Sequence, residues 1–192
     1  MLHLIKKRPA SLLAGCLLTI LFLLPKGQSR TTHLANDQVV SENSVSLFKF
    51  KKTPMRIICY VQERVEILDL AGPLEVFNYA GWEVYIVGKT KEPIHAQGIL
   101  KVTPEYDLTD APEADILAFF GGNSDLPVAD DELIEWVRDR GQTVPYLFSV
   151  CTGARILGRA GFLDEKTVTT YHGSLEQLQS EVPSASVRSA VR

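Results

Sequence analysis

The chain has 192 residues, 45% of them hydrophobic and 22% charged, which suffices for one substantial domain with a sizeable core. Lysine and arginine number 20 against 23 aspartates and glutamates, and the formal net charge of -3 gives no electrostatic case for a nucleic-acid partner. Cys16, Cys59 and Cys151, like His3, His33, His95 and His172, are scattered without the paired spacing of a structural zinc site or a disulfide framework, so no metal and no cofactor is expected.

At the amino end Lys6, Lys7 and Arg8 precede an uncharged run from Pro9 to Pro25, and a polar stretch follows. That order is the order of a secretory signal, and the run is also near the length of a short membrane span, so residues 1–30 are read as a signal peptide or a membrane anchor. Either reading implies an exported domain, periplasmic or anchored to a membrane and facing outside; a cytoplasmic domain follows if the segment does not target. Leu13–Cys16, "LAGC", resembles a lipoprotein processing site but lies too close to Arg8 and before a further apolar run. Residues 31–54 carry mixed charges without a sustained period, as a polar linker does.

From Met55 the pattern is regular. "MRIICYV" is an apolar, β-branched run suited to a central strand covered on both faces. "VEILDLAGPLEVFNYAG" follows, with Pro73 as a first-turn residue of a helix that begins near Gly72, which places Asp69 at the loop-to-helix junction. "EVYIVG" reads as a strand, "IHAQGILKVTP" as an extended excursion, "ADILAFFGG" as a buried strand ending in paired glycines and "DELIEWVRDRG" as an amphipathic helix. "VPYLFSV" is a strand leading straight to Cys151; a helix over 153–160, a short strand around "KTVTTY", a helix over "SLEQLQSE" and a strand over "SASVRSAV" complete the chain. Alternating strands and helices imply a parallel sheet with helices on both faces. Ligands of such sheets gather beyond the carboxyl ends of the strands, where Asp69, Gly121, Gly122 and Cys151 all fall.

A cysteine between a strand and the first turn of a helix meets unpaired backbone N–H groups and the positive end of the helix, both of which favour the thiolate. The same N–H groups, with those of the turn after Phe120, can receive negative charge that develops on a substrate. Thr152 adds a hydroxyl and an N–H, and Gly153 permits a tight helix start. Against this stands the common case of a cysteine that is a compact buried side chain and nothing more. "SVCTG" has Ser149 where a G-x-nucleophile-x-G elbow has its first glycine, so the motif is weak by itself.

"LDLAGPLEVFNYAG", "DILAFFGG" and "FSVCTGARILGRAGFLDEKTVTTYHGSLEQL", in their order and intervals, resemble the ThiJ/PfpI family of the class I glutamine amidotransferase-like superfamily. Within it they are most similar to the branch that holds isonitrile hydratases and the amidase-like domains fused to AraC-type regulators. The resemblance covers residues 55–192 and implies an α/β, flavodoxin-like three-layer sandwich with a mainly parallel sheet. It implies Cys151 as the nucleophile, Asp69 beside it to manage water or a proton, and Thr152 as an assisting residue. An oxyanion-binding backbone is implied at Gly121 and Gly122, with Gly122 preferred to Asn123.

For Asp69 the residues alone suggest a helix cap, and for the paired glycines a plain turn. His172, between "VTTY" and Gly173, is a base for the thiol if its ring reaches the carboxyl edge, and otherwise a structural or exposed histidine. After "VPSASVRSAVR" the family pattern would continue with a buried strand, a turn and a closing helix, so the domain is read as incomplete at its carboxyl end, with a homodimer as one way to cover the exposed surface. No helix-turn-helix pattern follows, which argues against a complete AraC-type regulator, and no glycine fingerprint of a dinucleotide site follows the first strand. Two function classes stand: a cysteine-dependent hydrolase or hydratase acting on a small compound, and a non-enzymatic ligand-sensing or interaction domain descended from one.

Overall fold

Apolar runs of strand length and stretches with helical spacing alternate from Arg56 onward, and each becomes the element its pattern suggests. The computed structural model describes the backbone of residues 2–6 and all of residues 53–189. In chain order the elements are β1 (Leu2–Lys6), β2 (Arg56–Tyr60), α1 (Ile67–Tyr79), β3 (Glu83–Val87), the hairpin strands β4 (Ile94–Ala96) and β5 (Leu100–Val102), and β6 (Ile116–Phe119). After them come α2 (Asp125–Val128), α3 (Asp131–Thr143), β7 (Tyr146–Val150), a 3₁₀ turn at Cys151–Gly153, α4 (Ala154–Arg159), β8 (Thr167–Val168), a second 3₁₀ turn at His172–Ser174, α5 (Leu175–Glu181) and β9 (Ser186–Val187). Every element named above belongs to one compact unit, and residues 9–52 lie outside the described residues.

Five strands form the main sheet in the order β1-β7-β6-β2-β3. β2 pairs in parallel with β3 and β6, and β6 with β7, while β1 lies antiparallel to β7. Tyr60, Phe119 and Ser149 are level in this register, so the loops after β2, β6 and β7 leave the sheet side by side. The strands alternate their side chains between two apolar layers. Ile58 and Tyr60, Leu117 and Phe119, and Leu147 meet Leu133, Ile134, Val137, Ile156, Leu157 and Leu178 of α3, α4 and α5. Ile57 and Cys59, Ile116 and Ala118, and Phe148 and Val150 meet Leu70, Leu74 and Phe77 of α1. The result is the three-layer α/β sandwich that the alternation implies.

The amino-terminal reading requires correction. Among the described residues no helix is long and apolar enough to cross a membrane. Leu2–Lys6, the start of the supposed signal, instead pairs residue by residue with β7, Leu2 opposite Val150 and Lys6 opposite Tyr146. A backbone whose hydrogen bonds complete the edge of a sheet is part of the fold, which overturns the signal or anchor over residues 1–30, the membrane association and the exported or outward-anchored location derived from it. The apolar run Pro9–Pro25 and all of the linker but Thr53 and Pro54 lie outside the described residues.

α1 also starts earlier than its sequence suggests. It begins at Ile67, with Glu66 as its N-cap, and Pro73 sits inside it. A proline has no N–H to give to the carbonyl four residues back, so the helix gives up one bond at Asp69 and continues. Asp69 therefore stands on the first turn of α1 and is not its cap.

Candidate active site around Cys151

The site is built where three chain segments leave the sheet together. β7 delivers Cys151 directly into a 3₁₀ turn, and the sharp reversal puts Cys151 in the left-handed region at φ 55°, an uncommon place for a residue with a side chain. Thr170 Oγ1 donates to the Cys151 carbonyl at 2.8 Å and fixes that reversal from the far side.

Gly121 is the point of convergence. A methyl group built on it would lie 2.5 Å from Asp69 Oδ2 and 2.7 Å from both Cβ and Sγ of Cys151. The turn after β6 thus lies tight against the carboxylate and the thiol, and only a residue without Cβ fits there. Gly122, at φ 100°, would place its own Cβ 2.1 Å from the Arg64 carbonyl. The same close approach is stitched by Glu66 N–H to Gly121 O at 2.9 Å and Asn123 N–H to Arg64 O at 3.2 Å. Asp69 Oδ2 is buried without a hydrogen-bond partner.

Thr152 is held from two sides: Ser124 Oγ lies 2.7 Å from Thr152 Oγ1, which reaches the Gly122 carbonyl at 3.3 Å. The Thr152 hydroxyl thereby ties the cysteine turn to the glycine turn, and its backbone N–H points at the Cys151 sulfur. Ser124, 2% exposed, was not among the residues that sequence reasoning singled out. Behind it Arg155, 7% exposed, forks to Glu181 at 2.6 to 3.1 Å and bonds Asp125 at 2.7 Å, joining α2, α4 and α5. One signal for Arg155 exists in the sequence: a lone cation inside the apolar stretch "ARIL" must be paired if that helix face is buried.

Burial pushes the Cys151 thiol above its ordinary value; the Thr152 N–H pulls it back, and the charge of Asp69 pushes it up again. The net direction is up, against the stabilised thiolate expected of a helix start. Cys151 precedes only a 3₁₀ turn and a helix of six residues, and the glycine turn that covers it removes the water a thiolate needs. Cys59, fully buried in β2, is pushed up much further by burial alone.

Asp69, Gly121, Gly122, Cys151 and Thr152 are therefore assembled at one place. His172 is exposed, its ring lies 4.2 Å from that of Tyr171, and among the described residues it makes no hydrogen bond to Cys151 or Asp69.

The profile of the DJ-1/PfpI family matches residues 55–191, from β2 to just beyond β9. The chain belongs to the DJ-1/PfpI family. Its DJ-1/PfpI domain is 33% identical over 120 residues to the isonitrile hydratase of Pseudomonas putida, an alignment covering 60% of this chain and 53% of the hydratase, so the chain spans about half that relative's length. It is 30% identical over 138 residues to an uncharacterised protein in the cpoL 5′ region of Streptomyces lividans, covering 68% of this chain and 97% of that one. Among solved structures, a ThiJ/PfpI family protein from Pseudomonas syringae superposes with a TM-score of 0.69 at 26% identity, covering 80% of this chain and 66% of the other.

Proposed function

We propose that this DJ-1/PfpI chain is a cysteine-dependent hydratase that acts on a small compound of the isonitrile class. Relatedness to the Pseudomonas putida isonitrile hydratase supports hydrolase-type chemistry on a small molecule. The observation that carries the finer reading is the convergence at Gly121 of the Cys151 sulfur with a buried carboxylate oxygen that has no other partner. An orphaned buried acceptor costs about 1–3 kcal/mol, and a thiol that must give up a proton during attack is the donor it suits.

The chemistry balances on these groups. Cys151 enters as the neutral thiol; its sulfur bonds to the terminal carbon of R–NC while the thiol proton passes through Asp69 to that carbon, giving the thioimidate R–N=CH–S. Water then adds to the same carbon, one of its protons going to nitrogen. The C–S bond breaks as the remaining hydroxyl proton returns through Asp69 to sulfur, releasing R–NH–CHO. Backbone N–H groups at Gly121 and Gly122 face the oxygen as it gains charge, and the Thr152 N–H supports the sulfur as it leaves.

The second function class is a ligand-sensing domain that keeps the pocket without the turnover. Incubation of the full chain with cyclohexyl isocyanide separates the two. The hydratase yields N-cyclohexylformamide, detected by NMR, and Cys151→Ser yields none. A folded wild-type chain that forms no formamide sinks the hydratase reading and leaves the sensing domain.

A further inference from the structure

β2 ends at Tyr60, and two residues later Gln62 turns inward beneath the glycine turn. The residue is 5% exposed, and its Nε2 lies 3.1 Å from the Phe120 carbonyl and 3.3 Å from the Gly121 carbonyl. Glu66 N–H meets the Gly121 carbonyl as well. Gln62 Oε1 is buried with no partner. Rotating the amide would not help, because it would set that oxygen against two carbonyl oxygens. Filling this space requires no amide, and a side chain that only packed there would be better apolar, since the orphaned oxygen carries a desolvation cost of about 1–3 kcal/mol.

What the amide does is fix the direction of two peptides. In a planar trans peptide the C=O and the N–H point opposite ways. Drawing the Phe120 and Gly121 carbonyls toward Gln62 turns the N–H groups of Gly121 and Gly122 away from it. Among the described residues no hydrogen bond takes up either N–H. The same turn presses on the Cys151 sulfur and on Asp69. We propose that Gln62 is a positioning residue that aims the Gly121 and Gly122 N–H groups at the negative charge formed on a substrate attacked by Cys151. This rests on the reading of Cys151 as a nucleophile, and not on the isonitrile as substrate.

The test compares two reactions of one sulfur. Acylation of Cys151 by p-nitrophenyl acetate passes through a tetrahedral oxyanion, whereas alkylation by iodoacetamide displaces iodide and forms none. Both rates are measured on the full chain for the wild type, Gln62→Leu and Gln62→Glu, with Cys151→Ser as background. A single lost oxyanion donor typically slows acyl transfer by about 100- to 1000-fold. Misdirected donors are expected to slow acylation by about 10-fold or more, with alkylation within about threefold of wild type. Gln62→Glu adds a pH signature. Its carboxylate has no hydrogen to donate and repels both carbonyls, whereas its protonated form restores one donor, so the ratio of acylation to alkylation recovers as pH falls. Gln62→Leu shows no such recovery, and if it fails to fold, the ratio within Gln62→Glu still decides.

Equal slowing of both reactions in either folded variant assigns Gln62 to stability and overturns the proposal. So does an unchanged ratio, or a wild type with no Cys151-dependent acylation. A wild type that acylates but forms no formamide from an isonitrile loses the hydratase reading, while the ratio still judges Gln62.

Discussion

The two faces of the sheet are covered unequally, and the site sits where they meet. On one face α3, α4 and α5 seal the strands: Leu133, Ile156, Leu157 and Leu178 are fully buried. On the other, among the described residues, α1 and the β4–β5 hairpin pack against the strands; Leu70 is the one buried residue of α1, and Leu68, Val76 and Tyr79 project with 78%, 65% and 93% of their surface exposed. At the far end of α1, Phe77 stacks on Trp82 at 4.8 Å and meets the edge of Phe148 at 5.7 Å. Asp69 comes from the thinly covered face, and Thr152 and Arg155 from the sealed one. The carboxylate thus rides on the element with fewer packing constraints, and the cysteine turn on the element with more.

The largest expected effect sharpens that contrast directly. Leu157→Ala removes a fully buried side chain among α3, α4, α5 and the sheet, and should cost about 2–5 kcal/mol of unfolding free energy. Val76→Ala, on the outer side of α1, should change stability by about 0.5 kcal/mol or less. Urea unfolding of the two variants measures both. Equal costs would mean that the outer stripe of α1 is covered in the folded protein.

Much of this architecture is legible in the sequence because it is written locally. β2, β6 and β7 are short apolar runs whose covering from both sides follows from their continuity, and Cys151 at the end of β7 follows from the run that precedes it. β1 is not legible, because basic residues before an apolar stretch have the same composition in a signal as in an edge strand; pairing with Tyr146–Val150, far along the chain, decides. The start of α1 is missed since Pro73 reads as a first-turn residue and nothing local shows that a helix already under way passes through it. α2, only Asp125–Val128, is too short to carry a period.

The site divides in the same way. Cys151, Asp69 and the two glycines announce themselves by type and position. The groups that hold them do so across the chain: Ser124 reaches Thr152 over 28 residues, Gln62 reaches Phe120 over 58 and Arg155 reaches Glu181 over 26. The raised value of Cys151 is not legible in the sequence, because the Gly121 turn that lies against its sulfur comes from across the chain.

A smaller effect is expected at Arg155, which ties the sealed face to the site. Its side chain is 8% exposed, but its partners Asp125 and Glu181 are 78% and 32% exposed. Removing the guanidinium therefore leaves two carboxylates that water can reach, and Arg155→Ala should cost less than breaking a fully buried pair, about 1–3 kcal/mol by urea unfolding. The loss should also loosen α2, and with it the Ser124 contact to Thr152, so Cys151 alkylation should speed up even in protein that remains folded. A cost above that of Leu157→Ala would show that the network, and not the apolar layer, secures this face.

The smallest effect probes the contrast at the sulfur itself. Burial and the Asp69 charge both hold the proton on Cys151, so the rate of alkylation by iodoacetamide should rise with pH about a midpoint above that of an ordinary thiol. Asp69→Asn removes the charge but keeps the shape, so the midpoint should move down and alkylation at neutral pH should become faster, while formamide production, which needs the carboxylate to carry protons, falls. Cys59 should remain unlabelled in both proteins as long as they are folded, because it is fully buried in β2. The sign for stability follows from the same shifts: thiols whose folded-state values lie above their unfolded ones contribute fully below the unfolded thiol's range, and that contribution is lost as pH rises from there towards the raised folded-state values, with Cys59 the larger contributor. Mass spectrometry of both cysteines across pH, read beside the melting temperature, tests the two together. A midpoint left unchanged in Asp69→Asn would mean that the carboxylate, although packed against the same glycine, does not act on the sulfur, and α1 would then be a cover for the sheet with no part in the chemistry.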